Sequence, residues 1–196
     1  MLSREEKTDM VKIIAGETAE MWYPMRIAYQ QSARVRAGLE AMGIRYFFPM
    51  EWRWVMHADG QKHYEHLPVF ASMIFIHASY ARLCQLKSTE WAFMPLRFYT
   101  RSCTDDAAER EIFPIPEKQM KDFMRLSMSN DERVVFLKET DYLKVISQRV
   151  RIIEGEFAGV EGVVKRIKNN RCVVVRLDGL ASVALLRCPI TSLIKI

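Results

Sequence analysis

Residues 148–196 read QRVRIIEGEFAGVEGVVKRIKNNRCVVVRLDGLASVALLRCPITSLIKI, and they hold the clearest strand pattern of the chain. Five short segments in this stretch are rich in β-branched residues: QRVRII, VEGVVKRI, RCVVVRL, LASVALL and ITSLIKI. The turns between them carry Glu154-Gly155, Lys168-Asn169-Asn170, Asp178-Gly179 and Cys188-Pro189. Strands at this even spacing over about fifty residues are typical of a small β-barrel. We therefore predict an all-β domain at residues 146–196.

The residues before this domain mix strand and helix patterns. Trp22–Ile27 has the aromatic and apolar character of a strand, and we expect Pro24 at an edge or a bulge because it donates no backbone hydrogen bond. Gln30–Met42 has helical periodicity, and Asp59-Gly60 marks a hairpin turn before the apolar segment Leu67–Ala78. Two further helical patterns follow that segment. This order of elements predicts a compact domain with a mostly antiparallel sheet.

The predicted fold class is α+β, with an α/β sandwich that contains a mostly antiparallel sheet and a small SH3-like β-barrel after it. The polar stretch Ser127–Asp131 marks the end of the first domain. We divide the chain into an N-terminal extension at 1–20, the α/β domain at 21–128, a linker at 129–145 and the barrel at 146–196.

The net charge of +5 is distributed unevenly along the 196 residues. Residues 1–20 carry −2, residues 21–101 carry +5, residues 102–147 carry −3 and residues 148–196 carry +5. Two basic blocks on either side of an acidic one suit two modules that each meet a polyanion or an acidic protein surface. Such a block is more often a solvated face, so the charge alone leaves nucleic-acid contact open.

The sequence lacks the patterns of membrane spans, secretion signals, metal sites and common catalytic motifs. No apolar run approaches the ~18–20 residues that span a bilayer. The scattered Cys84, Cys103, Cys172 and Cys188 fit reduced thiols, and His63-x-x-His66 is a poor metal-ligand pair in a strand. No Ser-His-Asp order, phosphate-binding glycine loop or paired carboxylate motif stands out. We expect a cytoplasmic protein that is not an enzyme, with no cofactor, no metal and no membrane contact.

Residues 150–163, VRIIEGEFAGVEGV, resemble a KOW motif. Gly155 suits a tight turn, while Gly159 and Gly162 allow a loop to fold back where a Cβ would clash. We expect Phe157 to project from the loop between the first two strands. KOW barrels occur in ribosomal proteins and in NusG-type transcription elongation factors. In the latter the position of Phe157 contacts ribosomal protein S10, although a simple role as a barrel lid fits this residue equally well.

The first half of the chain is similar to the N-terminal (NGN) domain of NusG. It has the Trp22-Tyr23 strand, a helix, Phe48-Pro49 and the apolar strand Phe70–Ile76. In that last strand Ala71 and Met73 stand where the family usually has Pro and Tyr, which points to a specialised paralogue. The segments WYPMRIAY, GIRYFFPM, LPVFASMIFIHAS and VRIIEGEFAGVEG most resemble the UpxY family, and the resemblance extends over nearly the whole chain from Met21 onward.

This resemblance implies a monomeric factor that rides on RNA polymerase. The NGN domain of relatives docks on the polymerase clamp and opposes pausing and termination, and each UpxY protein serves its own capsular polysaccharide operon. The docking strand of the family matches Phe70, Met73 and Phe75. The alternative is that these alternate residues simply fill the core, because Phe70 and Met73 point to opposite faces of a strand.

Specialised relatives also read the non-template DNA strand of the transcription bubble, at positions that match Tyr29, Gln31 and Arg34. A solvated helix face explains these residues equally well. Arg36 lies about 200° round the helix from Arg34, so the two are not expected to face one DNA strand. Trp52 and Trp54 share one face of the hairpin, where we favour a core position over an exposed contact with DNA or a partner.

Three functions remain open at this point. The first is operon-specific transcription antitermination by processive binding to RNA polymerase. The second is a general NusG-like elongation factor that couples polymerase to the ribosome or to a termination factor. The third, which the Trp-Tyr strand disfavours, is a ribosome-associated RNA-binding KOW protein.

Overall fold

The structure is a computed structural model that describes residues 11–13, 18–28, 30–102, 110–137, 148–167, 170–177 and 179–196. Backbone contacts divide the chain into two compact units. The first unit comprises Met1–Phe48 and Phe70–Pro116, and the second comprises Pro49–Val69 and Glu117–Ile196.

Fifteen strands and three α-helices lie in the described residues. In the first part of the chain they are β1 (Val11–Ile13), β2 (Glu20–Ile27), α1 (Ser32–Ala41), β3 (Tyr46–Phe47), β4 (Met50–Met56), β5 (Lys62–Pro68), β6 (Met73–Ser79), α2 (Tyr80–Thr89), β7 (Leu96–Phe98), β8 (Thr100–Ser102) and β9 (Arg110–Ile112). In the second part they are α3 (Glu117–Ser127), β10 (Val134–Leu137), β11 (Arg149–Ile152), β12 (Glu161–Ile167), β13 (Asn170–Leu177), β14 (Ala181–Leu186) and β15 (Leu193–Lys195). Single 3-10 turns lie at Trp91–Phe93 and Ile190–Ser192.

The first unit is built on an antiparallel sheet in the order β3-β6-β2-β7. Strand β2 is central, and its Tyr23 and Met25 are fully buried. Pro24, predicted at an edge or a bulge, lies in the central strand β2, opposite Phe75 of β6. A proline is tolerated here because the pairing of β2 with β7 begins only at Met25, so the nitrogen of Pro24 is not needed as a donor to β7.

Helices α1 and α2 begin in different ways. The Ser79 hydroxyl accepts a hydrogen bond from the backbone N–H of Arg82 at 3.2 Å and so forms the N-cap of α2. Helix α1 starts after Gln31, which makes no side-chain cap. The helical spacing predicts a buried stripe of Val35, Leu39 and Met42; the first two are buried, whereas Met42 lies beyond the end of α1 and is exposed.

A second small sheet of this unit includes part of the predicted N-terminal extension. Its order is β1-β9-β8, and β1 runs parallel to β9 with Val11 opposite Arg110. Strand β1 lies within residues 1–20, for which the sequence offered no structural prediction.

The second unit contains an antiparallel sheet in the order β10-β14-β13-β12-β11-β15. All five strands predicted between residues 148 and 196 form, as β11 to β15. Val173, Val174, Val183 and Ala184 are fully buried, which explains why these strands are almost continuously apolar. Strand β10 adds a sixth strand by pairing Val134–Leu137 with Ser182–Leu185, although these residues lie in the predicted linker.

Helix α3 packs on strands β13, β14 and β10 of this sheet. Its Met120, Phe123 and Leu126 are fully buried. The sequence analysis placed the same residues in the first domain, because their helical spacing shows that one face is buried but not which sheet buries it. The two structural units therefore do not follow the predicted limits at 21–128 and 129–145.

Strands β4 and β5 form a separate two-stranded hairpin around the predicted Asp59-Gly60 turn. The backbone N–H of His57 donates to the carbonyl of Gln61 at 2.9 Å, and Gly60 has φ +78°. Glycine is favoured at this position because the left-handed region strains other residues. The fold as a whole is mixed α/β with mostly antiparallel sheets.

Candidate functional site

The strand predicted to dock on polymerase lies in the core of the first unit. Phe75 is fully buried and Met73 is 5% exposed, since β6 is paired on both sides by β3 and β2. Phe70 lies in the turn before β6 and is partly exposed. Its carbonyl accepts a hydrogen bond from the N–H of Met73 at 3.4 Å. Of the three predicted residues, Phe70 is the one whose side chain offers surface to a partner.

Arg34, predicted to contact DNA, lies against an exposed aromatic ring. Its guanidinium carbon is 3.8 Å from the ring centroid of Trp91, which is 66% exposed. This distance suits a cation–π contact. The Nε atom of Arg34 is buried and has no hydrogen-bond partner among the described residues, which is also true of the Nε of Arg36. Arg34 and Trp91 together form a cationic and aromatic surface, which we call the Arg34–Trp91 surface.

Gln31 lies at the start of the same helix, one turn before Arg34. Its Oε1 atom is also buried, and no described residue offers it a hydrogen bond. The preceding Gln30 has φ +53°, which is unusual for a residue other than glycine and typical of strained backbone at functional sites. Tyr29, the third predicted DNA-binding residue, lies outside the described residues.

A glycine in α1 explains how Trp91 comes to lie next to Arg34. A Cβ atom on Gly38 would be 2.9 Å from the Cβ of Ala92 and 3.1 Å from the Cζ of Phe93. Helix α1 therefore approaches the Trp91–Phe93 turn more closely than any side chain at this position allows. Sequence reasoning missed Trp91 as a site residue because no local pattern links it to Arg34.

Arg36 contacts a different ring from Arg34. Its guanidinium carbon is 5.4 Å from the ring centroid of Phe48. This agrees with the prediction that the two arginines point to different sides of the helix. Arg36 thus provides a natural comparison for Arg34, since both are partly exposed arginines of α1 over an aromatic ring.

The glycines of the KOW-like motif agree with the sequence prediction at two of three positions. Gly155 has φ +79°, as a tight turn requires. Gly159 has φ +90°, but nothing lies within 4 Å of the position of its Cβ, so the clash predicted there is wrong. Gly162 is required for a different reason, because a Cβ there would lie 2.7 Å from the carbonyl oxygen of Val174. The prediction that Phe157 projects from this loop is wrong, since its side chain is only 3% exposed. The apolar ring is buried within its own unit, as in the alternative role of a lid.

Side chains of helix α3 donate hydrogen bonds to backbone carbonyls of the same loop. Arg125 Nη1 donates to the carbonyl of Ala158 at 2.7 Å, and Nη2 donates to the carbonyl of Glu156. Lys118 Nζ donates to the carbonyl of Gly159 at 2.9 Å. Charged donors on carbonyls make stronger hydrogen bonds than neutral ones, so these contacts fix the loop on the helix.

A buried carboxylate connects α3 to the beginning of β12. Asp122 is 6% exposed, and its Oδ2 accepts hydrogen bonds from Lys118 Nζ at 2.5 Å and from the backbone N–H of Glu161 at 3.1 Å. Glu161 Oε1 in turn accepts from Arg151 Nη2 at 2.8 Å and from its Nε at 3.0 Å. The hydrogen bond with Arg151 lowers the pKa of Glu161, and Lys118 adds to this effect.

The core position favoured for Trp52 and Trp54 is wrong. Both indole rings are more than half exposed on the β4–β5 hairpin. They lie on the same face of the hairpin, as their spacing predicts. The sequence pattern identified their shared face but not whether another element covers it.

The described residues contain no cluster of three or more His, Cys, Asp and Glu side chains that could hold a metal ion. The hairpin histidines instead pair with carboxylates: His63 Nε2 lies 3.7 Å from Asp59 Oδ2, and His57 contacts Glu65. In the part of the chain that the structure describes, no helix is long and apolar enough to cross a membrane.

Comparison with known proteins finds a similar solved structure of low sequence identity. No protein-family model and no curated protein sequence matches the chain. A solved structure described as domain interaction in Thermotoga maritima NusG is similar, with a TM-score of 0.41 and 16% identity. The match covers 92% of this chain and 99% of that chain.

Proposed function

We propose that this chain is a cytoplasmic, operon-specific transcription antitermination and elongation factor. In this proposal it binds the clamp of RNA polymerase and suppresses pausing and early termination in a capsular polysaccharide operon. The support is the sequence resemblance to NusG-like UpxY proteins from Met21 onward, together with the basic C-terminal domain that carries the KOW-like motif. The chemistry of transcription remains that of the polymerase.

The observation that carries the proposal is the Arg34–Trp91 surface beside Gln31. Buried polar atoms in proteins nearly always have hydrogen-bond partners, and the Nε of Arg34 and the Oε1 of Gln31 have none among the described residues. The Nε of Arg36 shares this property, but Arg36 lies over the buried ring of Phe48, whereas Arg34 lies over the exposed ring of Trp91. An unpaired base offers both donors and acceptors on its edges and a flat face that stacks on an aromatic ring. We therefore assign the non-template DNA strand as the ligand of this surface.

An effect on pausing requires more than binding. A ligand shifts a conformational equilibrium only by its difference in affinity for the two states. The factor must consequently bind the elongating polymerase more tightly than the paused one. Phe70 is the apolar residue that we assign to this polymerase contact, and the DNA contact would restrict it to the proper operon.

The experiment compares Arg34→Ala with Arg36→Ala in transcription by purified polymerase on a template carrying the operon leader. We expect Arg34→Ala to reduce leader-dependent readthrough strongly, because one base-directed contact is worth ~1–3 kcal/mol, or about tenfold to a hundredfold in occupancy. Arg36→Ala removes the same charge from the same helix and should retain readthrough. Equal readthrough on a scrambled leader by the wild-type protein would refute DNA reading by this surface.

A further inference from the structure

One face of the β4–β5 hairpin carries a continuous row of exposed rings. The cross-strand pairs Trp52–His66 and Trp54–Tyr64 follow each other along the hairpin. Ring centroids are 4.9 Å apart for Trp52 and His66, 5.4 Å for Trp52 and Tyr64, and 5.1 Å for Trp54 and Tyr64. The first two pairs are stacked, with interplanar angles of 19° and 22°. We call these four side chains the hairpin aromatic row.

The row is more open to solvent than large aromatic side chains usually are. Trp54 is 67% exposed, and Trp52 and Tyr64 are each 54% exposed. Met56, next along the same face, is 59% exposed. Contiguous apolar surface of this kind commonly marks a binding site, whereas single exposed apolar residues need no explanation.

The charges of the hairpin are sorted between its two faces. Lys62 lies opposite Met56 on the aromatic face, and it makes no ion pair among the described residues. Glu51 and Glu65, the acidic residues of the two strands, alternate along the strands with the residues of the aromatic face. Their side chains therefore point to the other face. Each is also paired there, Glu51 with Arg53 at 3.6 Å and Glu65 with His57. The aromatic face is thus cationic although the hairpin as a whole is not.

We propose that the hairpin aromatic row binds unpaired bases of single-stranded DNA, with Lys62 on the phosphate backbone. Aromatic side chains beside a positive charge are the general means by which proteins hold single strands without reading their sequence. This site is separate in sequence and in structural unit from the Arg34–Trp91 surface. It requires no polymerase, so it does not rest on the proposed function.

The row offers stacking faces but no site built around a ribose 2′-hydroxyl group. Its side chains are two indoles, a phenol and an imidazole, and stacking of a base on such rings does not depend on the sugar. RNA-selective sites add dedicated partners for the 2′-hydroxyl group. We therefore take single-stranded DNA as the ligand and an RNA oligonucleotide as the comparison.

The test uses the full chain and a fluorescently labelled (dT)20 oligonucleotide, with affinity measured by anisotropy at fixed salt. We expect Trp54→Leu and Tyr64→Leu each to weaken binding by about five- to 100-fold, as for loss of one stacking ring. Trp54→Phe keeps a ring and should restore most of the affinity. His63→Leu removes a ring from the opposite face of the same hairpin and should leave the affinity unchanged. Circular dichroism verifies that each variant is folded.

Several results would overturn this assignment. Unchanged affinity in folded Trp54→Leu and Tyr64→Leu would exclude the row as the binding site. If Trp91→Leu alone abolished binding, DNA would occupy the Arg34–Trp91 surface, which refutes the hairpin site but not the proposed function. Duplex DNA of equal length binding as tightly as (dT)20 would show charge attraction without base stacking. Equal or tighter binding of (rU)20 would contradict the choice of DNA.

Discussion

Two glycines of the KOW-like motif are required for different physical reasons, Gly155 in the loop and Gly162 in strand β12. Gly155 occupies the left-handed region at φ +79°, but nothing lies within 4 Å of the position where its Cβ would be. Gly162 has no such backbone requirement, yet its Cβ would collide with the backbone carbonyl of Val174. A flexible side chain can move away from a new methyl group, whereas a carbonyl within a sheet is held by its hydrogen bonds.

We expect Gly162→Ala to destabilise the protein by about 1–3 kcal/mol, because strand β13 must shift to accept the methyl group. Gly155→Asn should cost much less, since asparagine tolerates the left-handed region better than other side chains do. Chemical denaturation followed by circular dichroism measures both variants. A Gly162→Ala protein as stable as the wild type would show that strands β12 and β13 accommodate the methyl group without strain.

Side-chain exposure was the property that the sequence predicted least well. Alternation predicts correctly that Trp52 and Trp54 share one face of the hairpin. It does not predict whether another element covers that face. Phe157 is predicted to project from the loop between the first two strands, and it is buried. Local spacing determines the direction of a side chain, while burial depends on elements that are distant in sequence.

At the scale of elements, α3 and β12 are joined by charges that the sequence did not reveal. Lys118 and Asp122 form an ion pair one turn apart on α3. Glu161 of β12 and Arg151 of β11 form a second ion pair on the sheet. The pKa of Glu161 lies below its ordinary value because Arg151 stabilises the carboxylate. The unfolded chain therefore binds a proton at this residue at higher pH than the folded one, and the resulting stabilisation is lost as the pH falls through the folded pKa.

We expect Glu161→Gln to lower the free energy of unfolding by about 1 kcal/mol at neutral pH, as for a partly exposed ion pair. This difference from the wild type should shrink as the pH falls below the ordinary glutamate pKa of about 4.3 and through the lowered pKa of Glu161, where the wild-type carboxylate becomes protonated. Glu156→Gln changes an exposed carboxylate of the same loop and serves as the control. A difference that stays constant over this pH range would contradict the role of the charge.

Local patterns predicted most of the elements but not their partners. The hairpin, helices α1 to α3 and strands β11 to β15 follow from periodicity, turn residues and capping residues. The placement of α3 on the second sheet and the pairing of β10 with β14 were missed, since both depend on contacts between distant segments. The Arg34–Trp91 contact was missed for the same reason, whereas the position of Arg34 at the start of a helix was predicted.

At the scale of the whole molecule, polymerase binding is the property on which the proposed function depends. Met73 and Phe75 belong to the core, so charged substitutions there would unfold the first unit and reveal nothing about docking. Phe70 is partly exposed and can be changed with less damage. It is therefore the residue of the predicted strand that separates binding from folding.

We expect Phe70→Glu to lose most of the polymerase recovered with the tagged protein, because interface energy concentrates in a few apolar anchors. Ala71→Glu changes the adjacent exposed residue to the same charge and should have a smaller effect. Circular dichroism establishes that both variants are folded. Full recovery of polymerase by folded Phe70→Glu would place the docking contact elsewhere.

Chromatin immunoprecipitation of the tagged protein shows whether it acts on polymerase at chosen operons. We predict occupancy that begins in the leader of one or a few operons, follows polymerase through the transcribed genes and declines in Arg34→Ala. Occupancy spread over all transcribed genes would instead indicate a general elongation factor. Recovery of ribosomal subunits without polymerase or DNA would contradict the account entirely.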